Sequence, residues 1–165
     1  MTEDRASEPH GQDVQPLGRA LRRAEAAIDA LMASRIEAAG ISFVQIRALH
    51  AVCEGAATTP GGLSVTMGMT TGATTRLVDS LEGHGWLTRK RRKDDRRVIE
   101  LGVTDAGRAM ATRVSPIVFQ AWRDVLAGWD PAGIDALTAY LTDIARLADD
   151  LRTSGTVCGQ GTDRG

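Results

Sequence analysis

The sequence predicts a mainly α-helical protein with one small β-hairpin, and three observations predict it. Apolar residues recur at three- and four-residue steps along most of the chain. Only residues 86–90 and 97–103 read as extended, and a strongly basic turn joins them. Gly, Pro and capping Ser, Thr or Asp residues fall between the periodic stretches, where helices stop and start. At 165 residues the chain has the length of one domain. Its 42% apolar and 25% charged residues give the usual globular mix, able to fill a core without staples.

Each element has its own signal. Residues 1–16, with Pro9, Gly11 and Pro16 among polar side chains, read as a disordered arm. From 17 to about 39 a helical stripe carries Leu21, Ala24, Ile28, Leu31 and Met32, and Gly40 suits its left-handed end. Ser42 is placed to cap a second helix, with Phe43, Ile46, Leu49, Val52 and Cys53 as its apolar side. Residues 58–62, TTPGG, punctuate the chain, and 63–67 form a short helix of weak propensity. Thr70 caps a stronger helix through His84, closed by Gly85, and the hairpin follows. Thr104 caps a long helix whose stripe is Met110, Val114, Ile117, Ala121, Val125 and Trp129, kinked at Pro116. Asp130 and Pro131 supply the cap and first residue of a last helix. Its stripe is Ile134, Leu137, Leu141, Ile144, Ala148 and Leu151, and residues 152–165 read as a flexible tail.

The net charge of −1 hides an uneven distribution. From Arg89 to Arg97 the chain reads RKRRKDDRR, seven basic residues against Asp94 and Asp95, a local +5. The rest, with thirteen basic and nineteen acidic residues, is −6. Such a run on an acidic body suits a polyanion, because Lys and Arg gain by releasing counterions condensed on phosphates. Its setting strengthens that reading. A short helix, a tight turn at Gly68 and Met69, and a second capped helix make a helix-turn-helix, to which the hairpin adds a wing. On the second helix Leu77, Val78, Leu81 and Thr74 share the inward side, while Thr71, Gly72, Thr75, Arg76 and Asp79 share the outward one. Small residues let a helix approach the floor of the major groove, hydroxyls bond base edges or phosphates, and Arg pairs with guanine. The first-turn N–H groups suit a phosphate as well.

Other classes find little footing. No stretch is long and apolar enough to cross a bilayer, and the first residues lack the core of a signal peptide, so the protein reads as cytoplasmic. Cys53 and Cys158 are too few for a disulfide framework and wrongly spaced for zinc. His10, His50 and His84 form no metal-ligand grouping, and no metal or cofactor is expected. There is no Gly-rich phosphate loop or nucleophile elbow, and Asp79 and Glu82 share a helix without a pocket, so no enzyme is expected. A winged helix used as a protein-docking module is the alternative, which the wing arginines oppose.

Residues 67–110, MGMTTGATTRLVDSLEGHGWLTRKRRKDDRRVIELGVTDAGRAM, closely resemble the winged helix-turn-helix core of the MarR (multiple antibiotic resistance regulator) family. The motifs are Leu81-Glu82-Gly83-His84-Gly85, then Asp95-Arg96-Arg97 in the wing, then Val103-Thr104-Asp105-Ala106-Gly107 opening the next helix. The flanking helices match too, so the resemblance covers 17–151. It implies a winged helix-turn-helix at about 43–103, with dimerisation helices at about 17–39 and 104–151. It implies a homodimer that represses transcription from double-stranded DNA, on an inverted repeat that places two reading helices about one turn apart. Carried over by position, Thr70, Thr71, Gly72, Thr75 and Arg76 would meet the major groove or its phosphates. Arg96 and Arg97, with Arg91 and Arg92 nearby, would reach the minor groove or backbone, and Asp95 would shape the wing by pairing with an arginine. Two departures stand out. The short helix lacks the charged, alanine-rich composition usual there, and Gly72 and Ala73 replace a frequent Ser or Thr.

Relatives of this kind often bind small phenolic or lipophilic acids between their DNA-binding and dimer regions. Arg47, His50 and Trp122 are the candidates here for such an effector. Some relatives instead sense oxidants through a cysteine near the start of the first helix, where this chain has none. Cys53 reads as a buried structural thiol, with a redox-responsive role as its alternative. Trp86 reads as a core anchor at the start of the wing.

Overall fold

A computed structural model describes residues 15–155. The arm over 1–14, His10 and Cys158 lie outside them. The order is α1 (Gln15–Ile36), a 3-10 turn (Glu37–Ala39), α2 (Phe43–Cys53), α3 (Pro60–Met67), α4 (Thr71–Gly83), β1 (Leu87–Arg91), β2 (Ile99–Val103), α5 (Asp105–Val125) and α6 (Pro131–Gly155). The chain divides into two compact units at residue 121, inside α5.

The caps explain the element boundaries. Ser42 and Gln45 form a full capping box on α2, with Ser42 Oγ accepting from the Gln45 N–H and Gln45 Oε1 accepting from the Ser42 N–H. Helix α3 starts three residues earlier than its composition suggests. Thr59 accepts from the Gly62 N–H at 3.0 Å and Pro60 opens the first turn, where its missing N–H costs nothing. Gly68, at φ +62°, ends α3 in the left-handed region and begins the tight turn into α4. Helix α1 starts at Gln15, two residues before the expected start, and so takes in Pro16 from the expected arm. Helix α5 continues through Pro116 and stops at Val125, which leaves Trp129 off its stripe.

The core of the first unit is built by α2, α3, α4 and the hairpin, with Ile36 from α1 and Ala111 and Val114 from α5. Ile46, Leu49, Leu63, Val78, Leu81 and Leu87 are fully buried, each contributing about 1.5–3 kcal/mol of transfer free energy. Trp86 is buried at the base of the hairpin, as its sequence position suggests. Thr74 is a buried polar side chain, and it donates to the Thr70 carbonyl at 3.1 Å. The two strands pair antiparallel from Leu87 opposite Val103 to Arg91 opposite Ile99. The Leu101 N–H also donates to the Thr58 carbonyl at 2.9 Å, giving the hairpin a third backbone neighbour.

In the second unit α6 is a single 25-residue helix. Among its described residues none is buried, and Leu137, Tyr140, Leu141, Ile144, Leu147 and Leu151 are exposed. Among the described residues no single helix is long and apolar enough to cross a membrane.

Candidate nucleic-acid interface

Helix α4 is built to expose one face and anchor the other. Leu77, Val78, Leu81 and Thr74 are buried, while Thr71, Gly72, Thr75, Arg76 and Asp79 are exposed, the division expected from helical spacing. Thr70 caps the helix by accepting from the Ala73 N–H at 3.3 Å. Ser64 braces the turn before it, its hydroxyl donating to the Met69 carbonyl at 2.6 Å. From α2, Gln45 Nε2 donates to Ser80 Oγ at 2.9 Å, so one glutamine caps one helix and ties down another. Thr75 Oγ1 donates to the Thr71 carbonyl at 2.9 Å, which leaves its lone pairs free to accept.

The root of the wing is pinned by Thr104 and Gly107. Thr104 Oγ1 donates to the Gly85 carbonyl at 2.6 Å and accepts from the Gly107 N–H at 3.0 Å, and its own N–H donates to Trp86. A Cβ at Gly107 would collide with the Trp86 carbonyl, which gives the Thr-x-x-Gly motif a steric cause.

The basic run is not uniform. Lys90, Arg91, Lys93, Arg96 and Arg97 are exposed on the wing, and with Arg76 they make no ion pair among the described residues. Arg92 instead folds onto Asp94, with Glu100 at 3.6 Å. The hydrogen bond that Arg92 donates to Asp94 raises the Arg92 pKa, and the same bond lowers that of Asp94. Asp95 does not pair with an arginine side chain, contrary to expectation. Its carboxylate accepts from the Arg97 N–H at 3.0 Å and its carbonyl from the Val98 N–H, so it shapes the turn through the backbone. The arginine partner is its neighbour Asp94.

Sequence reasoning missed Arg89 as a distinct residue. Its guanidinium turns back onto α4, 2.6 Å from Asp79 and 2.7 Å from Glu82. Burial alone would lower its pKa, but the hydrogen bonds and charges of Asp79 and Glu82 outweigh that and raise it. The available signal was the pair of carboxylates three residues apart on one helix, followed by a basic strand.

The three effector candidates are less well gathered. Arg47 lies 3.9 Å from Asp29 and over the Phe43 ring at 5.8 Å, and both Arg47 and its neighbour in the next turn, His50, belong to α2. His50 Nε2 meets Ser115 Oγ at 2.9 Å. Ser115 Oγ also lies 2.7 Å from the Ala111 carbonyl, to which it can donate. Trp122 is exposed and belongs to the second unit. An open cavity of about 490 Å³ lies at the start of α2, lined by Ala33, Glu37, Ile41, Ser42 and Phe43 among others, but by none of the three candidates.

Cys53 is exposed, not buried, because α2 ends there at the rim of the core. Its thiol pKa is nonetheless raised, by partial burial first and by Glu54, against the opposing charge of Arg108. A thiol held protonated is a poor nucleophile toward oxidants. Among the described residues no group of three or more His, Cys, Asp or Glu is arranged to hold a metal.

A braced helix with a small, hydroxyl-bearing outward face, followed by a cation-rich hairpin, defines a winged helix-turn-helix protein. Residues 39–98 match the model of the MarR family, so the chain is similar to that family over this segment. No curated protein matches the chain in sequence. Solved structures share its fold. CouR from Rhodococcus jostii RHA1, bound to p-coumaroyl-CoA, aligns at 23% identity and TM-score 0.72, over 79% of this chain and 92% of its own. A MarR mutant from E. coli complexed with operator DNA gives 23% and 0.72, over 84% and 99%. BpsR from Bordetella bronchiseptica, whose DNA binding is regulated by 6-hydroxynicotinic acid, gives 20% and 0.72, over 84% and 98%.

Proposed function

We propose that this protein is a transcriptional repressor that binds an inverted-repeat operator as a homodimer and is released by a small phenolic or lipophilic acid. The observation that carries the reading is the outward face of α4, with Thr71, Gly72, Thr75 and Arg76 exposed beside Arg91, Lys93, Arg96 and Arg97 of the wing, which make no ion pair among the described residues. In this reading Thr70, Thr71, Gly72, Thr75 and Arg76 address the major groove, and Arg91, Arg96 and Arg97 address the adjacent backbone or minor groove. Arg92 contributes charge from a fixed position on Asp94.

The homodimer is supported by the apolar side of α6, whose Leu137, Leu141, Ile144 and Leu151 stay exposed within one chain. A two-fold pairing removes that surface from water and sets the half-site spacing. The effector class is supported by the ligands of the similar proteins, p-coumaroyl-CoA on CouR and 6-hydroxynicotinic acid acting on BpsR. Arg47 offers a cation to a carboxylate, and His50 and Trp122 are the other candidates.

Selection from random duplexes tests the DNA reading: an inverted repeat should emerge. Sedimentation should give a dimer at micromolar concentration, and Leu141→Asp with Ile144→Asp should give monomers that lose the operator. Recovery of no sequence, or a wild-type monomer, would contradict the proposal.

A further inference from the structure

Arg89 opens the basic run but does not face outward like its neighbours. Its Nη2 lies 2.6 Å from Asp79 Oδ1 and 3.5 Å from the Thr75 carbonyl, and its Nη1 lies 2.7 Å from Glu82 Oε2. Its backbone N–H donates to the other Glu82 oxygen at 3.3 Å. Its side chain is 25% exposed, against 56% for Asp79. Strand β1 is therefore tied to α4 through three residues, and Asp79 and Thr75 belong to the same outward face as Arg76.

Two needs meet at this site. A two-stranded ribbon is marginal alone, so the direction of the wing depends on what fixes its base. Two carboxylates near a DNA-facing surface also repel phosphates unless a cation answers them. The planar guanidinium fork can grip two carboxylates and a carbonyl at once, which a lysine ammonium cannot do with the same fixed geometry.

We propose that Arg89 is a positioning residue for DNA recognition, which sets the wing against the reading helix and masks Asp79 and Glu82 from the phosphate backbone. It is not itself a phosphate contact. The proposal rests on the DNA-binding reading above. It makes an unusual electrostatic prediction, because removing negative charge from this DNA-facing surface should weaken binding to a polyanion. Exposed ion pairs add little stability, so the variants should fold.

The test compares wild type, Arg89→Lys and the double variant Asp79→Asn with Glu82→Gln on an operator selected with wild type. Affinity, hydroxyl-radical footprint and thermal midpoint are read for each. The double variant should bind about tenfold or more weakly, with loss of the wing's flanking protection while protection under α4 persists. Arg89→Lys, which keeps the charge, should lose the same protection. If the double variant lowers the midpoint strongly, Asp79→Asn alone, which keeps the Glu82 grip, should show the same loss in part. Equal or tighter binding by the carboxylate variants, or a wild-type footprint for Arg89→Lys, overturns the proposal. A wild type that selects no operator overturns the DNA reading and this proposal with it, and so separates the two failures.

Discussion

The reading helix and the wing stand side by side and are built in opposite ways. The outward face of α4 is nearly neutral at its start, with Thr71, Gly72 and Thr75 before a single cation, Arg76. It is braced from behind by buried Leu77, Val78 and Leu81, by Ser64 at its turn, and by Gln45 from α2. The wing tip carries Arg91, Lys93, Arg96 and Arg97, all exposed, on a ladder of two five-residue strands. The difference teaches a division of labour. Base contacts need a surface held to a fraction of an ångström, whereas phosphate contacts need charge and tolerate motion. In the proposed reading, burial behind α4 serves the first, and wing cations that make no ion pair among the described residues serve the second.

The comparison breaks most completely at the root they share. Gly107→Val should drive a side chain into the Trp86 carbonyl and cost about 1–3 kcal/mol or more, read as a lower denaturation midpoint. Arg76→Ala should cost about 1–3 kcal/mol of specific binding and relax base preference at one position of each half-site, while scrambled duplex binds nearly as before. Arg96→Ala with Arg97→Ala should weaken all sequences alike and reduce the salt slope by about 1 for each contact removed. A change in base preference from the wing pair, or a uniform loss from Arg76→Ala, would reverse the assignment of roles. Smallest of all, Cys53→Ser should change stability by about 0.5 kcal/mol or less, and peroxide should not release DNA from wild type.

Much of the fold was legible because its punctuation is chemical. Ser42, Thr70 and Thr104 cap helices by side-chain hydrogen bonds that need only local geometry, and Gly40, Gly68 and Gly85 hold positive φ values. The inward and outward sides of α4 follow from helical period alone. Less legible was whatever depends on which chain segments meet. Arg89 finds carboxylates seven and ten residues back, across the turn at Gly85, so the basic run reads as more open than it is. Arg92 selects Asp94 and leaves Asp95 to the backbone, a choice that the turn conformation makes. Cys53 follows the apolar period of α2 and yet lies outside the core, because the helix ends where the core does. The apolar period of α6 is as clear as that of α4, but it marks a surface that one chain leaves exposed.

The central claim is sequence-specific DNA binding by α4 with the wing beside it. Its most direct measurement is a titration of the selected operator against a scrambled duplex, at two salt concentrations, for wild type and Arg76→Ala. Wild type should prefer the operator by roughly 10³-fold or more, with affinity falling steeply in salt, and Arg76→Ala should lose preference while keeping the salt slope within about one unit. Equal, weak and salt-insensitive binding to both duplexes would contradict the account.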